Sequence, residues 1–385
     1  MTVWDELRAS RTAGGVERQM SSREVAHAWL LLGPAGSGKG AVAMAMAAAL
    51  NCSDQPGVGC GTCRTCERIG RGRHPDVHHV VPEGPLIPVD VVRESIIPEA
   101  ARSPFEGRYK VFVIEEAERM NPAAQNALLK TLEEPQEDTV FVLLSEREEE
   151  LLETIRSRCR VVRLEPVSQR RLVELLVSDG VDHPDALLAA RLSEGDLGRA
   201  RALACDGEVR ARRALWSSIP GRLTTPVASL EAAGAIVEAA RAAVKERERA
   251  QKIEVAELAE ALGEGRGTSV ARNALAKRHK RELRRVEEQV LGEALGFLGS
   301  FYRDVVALRA GGDEAVTHLD LVAELGAWAA SETPDAGFIR AAERCIEART
   351  SLVRNANPAL AIEAALVEVS SLAEPRAPWP AAPPG

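Results

Sequence analysis

The chain has 385 residues, more than the roughly 250 to 300 that a single hydrophobic core accommodates, so we expect two or three domains and exclude a small single module. Hydrophobic residues make up 45% of the chain and charged residues 28%, which excludes global disorder, while only 3% aromatic residues favours helical cores of Ala, Leu, Val and Ile. The formal net charge of -8 excludes a protein that wraps nucleic acid over its whole surface, although a local basic face is compatible with it.

The first half of the sequence alternates short apolar runs with segments of helical pattern. HAWLLLG ends in a glycine loop that leads into an Ala-rich helix, and the later strand-like runs are HPDVHHVV, KVFVI, TVFVLLS and RVVRLEP. Strands that alternate with helices over short connections predict a parallel sheet that is covered on both faces. We therefore expect an α/β core over residues 1–166.

The remaining sequence has helical patterns without a further strand signal. Residues 167–207 predict a small helical domain, and residues 208–371 predict longer amphipathic helices that form a third, all-helical domain. Residues 372–385 are rich in Pro and Ala, which predicts a disordered tail. No apolar run reaches the roughly 18 to 20 residues of a membrane span, and the N-terminus has no signal-peptide pattern, so we expect a cytoplasmic location and no membrane partner.

A glycine-rich loop follows the first apolar run. Residues 33–39 have the sequence GPAGSGK, which matches the phosphate-loop pattern G-x-x-x-x-G-K. The pattern lies between a predicted strand and a predicted helix, where backbone N–H groups at the helix N-terminus can hold phosphate oxygens. A plain glycine turn is the alternative. The candidate nucleotide-binding residues of this loop are Gly33, Gly36, Ser37, Gly38 and Lys39.

The expected magnesium shell differs from that of nucleotide-hydrolysing proteins. Gly40 occupies the position where a Ser or Thr hydroxyl binds Mg²⁺. Glu115 and Glu116 follow the run KVFVI, where an Asp and then a Glu are usual. Gly40, Glu115 and Glu116 are therefore further candidates around the nucleotide. ATP or ADP is thus a candidate ligand, and we expect its hydrolysis to be slow or absent.

Four of the seven cysteines form one cluster. Cys52, Cys60, Cys63 and Cys66 have the spacing C-x7-C-x2-C-x2-C. The odd number of cysteines and this clustering argue against a disulfide framework. Four thiolates at this spacing suit a closed tetrahedral Zn²⁺ site with no open position for catalysis, so we expect a structural zinc ion. Iron–sulfur ligation and redox activity are the alternatives.

The order of these motifs resembles one family closely. HAWLLLGPAGSGKG, the four-cysteine insertion, VDVVRE, AERMNPAAQNALLKTLEEP and IRSRCR occur in the order found in delta-prime subunits of the bacterial clamp loader, part of DNA polymerase III. This resemblance covers about residues 25–166 and implies an AAA+ P-loop core with a zinc module at 52–66, a helical lid and a helical collar domain. The partners that it implies are the gamma/tau motor and delta subunits, the sliding clamp and, through the complex, primer-template DNA.

The resemblance also implies roles for two arginines. Arg158 lies in a Ser-Arg-Cys motif, whose arginine reaches the nucleotide of a neighbouring subunit and neutralises charge on the transferred phosphoryl group. The sequence GDLGR at 195–199 resembles the sensor-two region, which implies that Arg199 faces the chain's own nucleotide site. An arginine at the exposed end of a helix is the alternative interpretation of Arg158.

Together these features predict a stationary, delta-prime-like subunit. It helps to load the sliding clamp during DNA replication, supplies Arg158 as an arginine finger and has little or no ATPase activity of its own. An ATP-hydrolysing motor subunit of gamma/tau type is the first alternative, which Gly40 and Glu115 disfavour. A free-standing zinc-dependent DNA-binding ATPase is the second, which the acidic net charge disfavours.

A basic segment lies in the predicted third domain. Residues 272–285, RNALAKRHKRELRR, carry seven Lys or Arg residues and one Glu. A solvated helix face is the default interpretation, because no aromatic residue is interleaved for base stacking. Contact with DNA is the alternative.

Overall fold

A computed structural model describes residues 2–5, 7, 11–22, 25–82, 86–262, 266–353 and 357–373. The chain divides into two compact units, Met1–Cys205 and Asp206–Gly385. Among the described residues, no helix is both long enough and apolar enough to span a membrane. The predicted tail lies outside the described residues from position 374 onwards.

The N-terminal unit contains the predicted α/β core. Its strands are β1 (Ala28–Leu32), β2 (Val77–Val80), β3 (Lys110–Ile114), β4 (Thr139–Ser145) and β5 (Arg160–Arg163). Its helices are α1 (Arg11–Met20), α2 (Lys39–Asn51), α3 (Arg64–Gly70), α4 (Val89–Val91), α5 (Ile97–Ala100), α6 (Pro122–Glu133), α7 (Glu153–Arg156), α8 (Gln169–Ser178), α9 (His183–Leu192) and α10 (Leu197–Cys205).

The five strands form one parallel sheet in the order β2-β3-β4-β1-β5. Leu30 of β1 lies opposite Leu143 of β4 on one side and Val161 of β5 on the other. The strands β1, β3 and β4 are buried along their whole length, as continuous apolar runs in a two-sided sheet require. The edge strands β2 and β5 are partly exposed.

Helices cover both faces of this sheet. Because side chains alternate along a strand, Trp29 and Leu31 of β1 pack on the face that α2 covers, with Met46 among their neighbours in the core. Leu30 points to the opposite face, where Leu128 of α6 belongs to the core. The predicted α/β core, a parallel sheet that is covered by helices on both faces and is followed by helical segments, is confirmed.

The helical segment VDVVRESIIPEA is interrupted by a π-helical stretch. Between α4 and α5, residues Val92–Ile96 form π-helix, and the N–H of Ile97 donates to the carbonyl oxygen of Val92. Pro98 lacks an N–H group and cannot continue an ordinary α-helical ladder, which is a local reason for the change in register.

The last helices of the N-terminal unit have a small core of their own. Leu172 and Leu176 of α8 pack with alanines of α9 and with Ala200 of α10. Ser168 caps α8, since its hydroxyl oxygen accepts a hydrogen bond from the N–H of Arg171. The division into core, lid and collar at positions 166 and 207 stays a prediction.

The C-terminal unit is helical throughout its described residues. Its helices are α11 (Gly207–Arg222), α12 (Pro226–Leu262), α13 (Arg266–Arg309), α14 (Val322–Ala329), α15 (Asp335–Val353) and α16 (Pro358–Leu372), with short 3-10 turns between α13 and α14. Although aromatic residues are rare in the sequence, Phe301, Tyr302, Trp328 and Phe338 cluster at the centre of this unit's core. Stacked and edge-to-face pairs of this kind add to the apolar burial.

Candidate functional site

The candidate phosphate loop joins the end of β1 to the start of α2. Gly36 (φ +77°) and Gly38 (φ +80°) adopt left-handed conformations, which turn the chain tightly into the helix. Gly33 lies against Leu164, and a Cβ atom on Gly33 would come within 2.4 Å of the Leu164 carbonyl oxygen. Ser37 is buried, and its hydroxyl has no hydrogen-bond partner in the described structure. The loop therefore requires glycine at three positions, through conformation or steric contact.

The side chain of Lys39 is engaged by its own loop. Its Nζ donates hydrogen bonds to the carbonyl oxygens of Gly33, at 2.5 Å, and Pro34, at 2.8 Å. A carboxylate oxygen of Glu146 lies 3.5 Å from the same nitrogen. The ammonium group that could bind a terminal phosphate thus has a carboxylate and two carbonyl oxygens as neighbours.

A second carboxylate residue approaches the loop from the start of α10. A Cβ atom on Gly36 would lie 2.8 Å from Cβ of Asp196, so these two residues are packed against each other. Asp196 Oδ1 accepts a hydrogen bond from the N–H of Arg199 and so caps the helix. Arg199 itself is exposed in the first turn of α10. The GDLGR segment therefore reaches the phosphate loop through Asp196.

The candidate magnesium-shell residues Gly40, Glu115 and Glu116 each have different neighbours. Gly40 is the second residue of α2, and a Cβ atom at this position would meet no heavy atom within 4 Å. Glu115 follows β3 and shares a 2.8 Å hydrogen bond with Nε2 of His79, at the end of the edge strand β2. Glu116 has a left-handed backbone (φ 48°) and forms a 2.6 Å ion pair with Arg119. Each of the two carboxylates is thus paired with a nearby basic side chain.

The turn after β4 completes the surroundings of the loop. Ser145 is buried, and its hydroxyl exchanges hydrogen bonds with the backbone N–H and carbonyl of Arg147. The hydroxyl is therefore engaged by this turn. Glu146 follows directly, and its backbone N–H donates to the buried carboxylate of Glu118.

The four clustered cysteines lie together. Their Sγ atoms are all within 4.8 Å of one another, which is close enough for all four to hold one metal ion. Backbone N–H groups donate to these sulfur atoms, among them those of Cys60 to Cys52 Sγ and of Cys63 to Cys60 Sγ. Burial opposes ionisation of Cys63, but hydrogen bonds from Ser53 and Cys66 outweigh it and lower the pKa of this thiol to about 6. The donors therefore favour the thiolate form that binds metals.

The position of the cluster follows from glycine turns and packing. Gly57, Gly59 and Gly61 all have positive φ angles and fold the segment back on itself. The indole N–H of Trp4 donates to the carbonyl oxygen of Val58, and the buried Trp4 ring belongs to the same core as the cysteines. The segment is thus attached to the core of the unit as well as to any bound ion.

Arg158 lies just before β5, after the short helix α7. Its Nη1 donates a 2.9 Å hydrogen bond to the carbonyl oxygen of Thr154, and its Nη2 forms an ion pair with Glu133. The side chain is 34% exposed. Its neighbour Cys159 is buried, and burial raises the pKa of that thiol to about 12, so Cys159 is a core residue.

Arg158 and the phosphate loop lie at opposite ends of the parallel strands. The loop follows the carboxyl end of β1, whereas Arg158 precedes the amino end of β5, and these two strands are parallel neighbours. Arg160, the first residue of β5, pairs with Trp29, and the four residue steps from Trp29 to Gly33 correspond to about 13 Å of strand. The structure therefore does not bring Arg158 together with Lys39 in one site.

Comparison with known proteins connects this geometry to a family. Residues 10–168 match the family model described as DNA polymerase III, delta subunit. The DNA polymerase III subunit delta' of Pseudomonas aeruginosa is 47% identical over 137 residues, which are 35% of this chain and 42% of that protein. The delta' subunit of Escherichia coli K12 is 39% identical over 199 residues, or 50% of this chain and 59% of that protein.

The matches to DNA polymerase III proteins extend beyond delta' subunits. The tau subunit of E. coli K12 is 34% identical over 191 residues, which are 48% of this chain and 29% of that protein. The chain spans about half of the length of the delta' relatives that it matches. The resemblance to delta-prime subunits is confirmed, and the family model covers the sheet, the phosphate loop, the cysteine cluster and Arg158.

Three residues in these surroundings were not predicted from the sequence. Glu146 contacts Lys39, Asp196 contacts Gly36, and Glu133 contacts Arg158. For Asp196 a signal was present, because it lies in the GDLGR segment that marks Arg199. Glu146 and Glu133 lie far in sequence from their partners, so only the arrangement of strands and helices identifies them.

Proposed function

We propose that the chain acts as a delta-prime-type, stationary subunit of a DNA polymerase III clamp loader. It supplies Arg158 to the nucleotide of a neighbouring gamma/tau motor subunit and has little or no ATPase activity of its own. Its partners are the motor and delta subunits, the sliding clamp and, through the complex, primer-template DNA. The family match of residues 10–168 supports this role.

The observation that carries the proposal is the placement of Arg158. The residue lies at the end of the parallel strands opposite to its own phosphate loop, and a third of its side chain is exposed. A guanidinium in that position is better placed for a nucleotide site on another molecule than for the phosphate loop of its own chain. In such a site it neutralises the charge that develops on the transferred phosphoryl group, the action of an arginine finger.

The surroundings of the chain's own loop support a weak or absent ATPase. Lys39 already has a carboxylate neighbour in Glu146, and Gly40 offers no hydroxyl for Mg²⁺. Glu115 is hydrogen-bonded to His79 at the sheet edge. Any ATP or ADP at this loop meets Gly33, Gly36, Ser37, Gly38 and Lys39 from the loop and Arg199 from α10, but without a complete metal shell.

The cysteine cluster fits a structural zinc ion. Zn–S bonds of about 2.3 Å in a tetrahedron place sulfur atoms about 3.8 Å apart. Cys52 Sγ and Cys63 Sγ are separated by 3.8 Å, and the N–H···S hydrogen bonds suit thiolate ligands. A cluster with several iron atoms requires a wider cage of sulfur atoms. Zinc held by Cys52, Cys60, Cys63 and Cys66 ties the end of α2 to the start of α3.

The decisive experiment reconstitutes the clamp loader with wild-type chain and with the Arg158→Ala variant. We expect the variant to assemble normally in native mass spectrometry, while ATPase activity stimulated by DNA and clamp falls at least about tenfold. Arg163→Ala is a matched control, because Arg163 is an exposed arginine on β5 that pairs with Glu148. Full ATPase activity of an assembled Arg158→Ala complex would contradict the arginine-finger role.

The alternative function is that of a gamma/tau-type motor, and the 34% identity to the E. coli tau subunit supports it. It predicts ATP hydrolysis by the isolated chain that Lys39→Ala abolishes. The stationary role predicts hydrolysis at the background level for both proteins, so one assay on the isolated chain separates the two.

A further inference from the structure

The helices α12 and α13 extend past the hydrophobic core of the C-terminal unit. The core includes α12 residues as far as Ala243 and α13 residues from Val290 onwards. Beyond these limits α12 runs to Leu262 and α13 begins at Arg266, so the two helices form an antiparallel hairpin with arms of roughly 20 residues, or about 30 Å. The family match ends at residue 168 and does not include this hairpin.

Polar contacts join the two arms of the hairpin. Arg247 of α12 forms a 2.6 Å ion pair with Glu282 of α13. The buried amide of Gln251 donates to the carbonyl oxygen of His279 and to the carboxylate of Glu282. These contacts, together with buried Leu275, define the side of α13 that faces α12. The single acidic residue of the basic segment is therefore used within the seam between the arms.

The basic residues of α13 concentrate away from that seam. Positions 277, 280, 281 and 284 have the helical spacing i, i+3, i+4 and i+7, and each carries Lys or Arg. At 100° per residue Lys280 and Arg284 lie on the opposite side of the helix from Leu275 and His279. Lys280 and Arg284 are exposed, and Arg284 also pairs with Glu288. The result is a basic stripe in a chain whose net charge is -8.

We propose that this basic stripe, which contains the exposed Lys280 and Arg284 of α13, binds the phosphate backbone of duplex DNA. Charge complementarity selects a polyanion, and arginine and lysine are the usual phosphate-binding side chains. Residues 244–289 contain no Phe, Tyr or Trp, so the hairpin lacks the stacking side chains that single-stranded nucleic acid and most protein interfaces use. The contact carries no sequence preference, since it reads phosphates only.

The test titrates the isolated full-length chain into a short fluorescein-labelled DNA duplex and follows fluorescence anisotropy. We expect roughly micromolar binding at about 50 mM salt that weakens steeply towards about 200 mM. Lys280→Glu/Arg284→Glu should weaken binding at least about tenfold and reduce the slope of log K against log salt by about two, because two phosphate contacts are lost. Lys280→Gln/Arg284→Gln should give a smaller loss in the same direction.

The control is Lys245→Glu/Lys252→Glu, which changes the charge of the other arm by the same amount. Both lysines are exposed on α12, and we expect less than about a twofold change in affinity. Circular dichroism and thermal melting check that all variants fold. Absence of duplex binding by the wild-type chain, tighter binding of single-stranded DNA, or equal losses in both arms would each overturn the proposal. Binding by the isolated chain needs no partner subunit, so this result is independent of the proposed clamp-loader role.

Discussion

Arg158 forms an ion pair with Glu133, the last residue of α6. Both side chains are partly exposed, with 34% and 45% of their surface accessible, so the pair contributes at most about 1 kcal/mol. A phosphate group on a neighbouring subunit can therefore displace the carboxylate from the guanidinium. We therefore expect Glu133 to compete with that phosphate for the proposed arginine finger.

Glu133→Gln should make the finger easier to release in the reconstituted complex. We expect the apparent KM for ATP to fall by up to about fivefold while kcat is retained, because the lost ion pair is worth up to about 1 kcal/mol. Steady-state ATPase kinetics measure both constants. Glu134→Gln, a change at the neighbouring exposed carboxylate, is the control and should leave both unchanged. A fall in kcat instead would show that Glu133 positions the finger for the reaction.

Glu146→Gln should raise the affinity of the chain's own loop for nucleotide. The substitution removes the negative charge 3.5 Å from Lys39 Nζ and leaves the ammonium group available to a phosphate. We expect at least about a threefold gain in affinity for ADP by isothermal titration calorimetry, since an exposed carboxylate beside a lysine is worth up to about 1 kcal/mol. The control is Glu149→Gln, at another exposed glutamate of the same turn. Equal affinities of wild type and Glu146→Gln would show that Glu146 does not limit nucleotide binding.

Removal of the proposed zinc ion should destabilise the N-terminal unit. We expect one zinc per chain by elemental analysis, and a chelator should lower the stability of the unit by several kcal/mol, because metal binding is coupled to folding. Cys60→Ser should lose the metal, whereas Cys205→Ser, at an exposed cysteine outside the cluster, should keep it. Cobalt substitution reports the tetrahedral thiolate site by absorption. Iron in the purified protein, with visible absorption before substitution, would favour the iron–sulfur alternative.

His318 should make the C-terminal unit sensitive to acid. The ring is buried, and burial lowers the pKa of His318 from 6.5 to about 4, although Asp304 and Asp320 oppose this shift. The positive charges of Arg213 and Arg303 also lower the pKa of His318, in the same direction as burial. Below pH 6.5 the unfolded chain binds a proton that the folded unit does not, so stability is complete above pH 6.5 and falls towards pH 4.

The loss of stability from His318 over this range amounts to about 3 kcal/mol. Urea denaturation followed by hydrogen exchange in α13 and α14 measures it at several pH values. His318→Gln should flatten the pH dependence, even though it also removes the hydrogen bond between the ring Nε2 and Ser300. His183→Gln, at an exposed histidine, is the control and should retain the wild-type profile. A wild-type profile in His318→Gln would exclude this histidine as the cause.

Much of the N-terminal unit could be predicted from local patterns. The runs KVFVI and TVFVLLS are entirely apolar apart from their ends, and they form two of the three strands that are buried along their whole length. The loop from Gly33 to Lys39 could be predicted from its motif and from its position between a strand and a helix. The four cysteines were recognisable because three of them lie at intervals of three residues. The π-helical interruption at Val92–Ile96 was not predicted, since the pattern of apolar residues does not report a change in hydrogen-bond register.

The sequence by itself determined the α/β fold class, the resemblance of residues 10–168 to DNA polymerase III subunits, the candidate metal ligands and the candidate finger, because these follow from periodicity and from motifs within short segments. The tertiary structure alone decided what each site residue contacts. The strand order inserts β1 between β4 and β5, so Glu146, which follows β4, reaches Lys39 at the end of β1. Because β5 runs parallel to β1, Arg158, which precedes β5, lies at the opposite end of the strands from the loop that follows β1. Such pairs depend on how parallel strands are arranged in the sheet, and no local pattern encodes that arrangement.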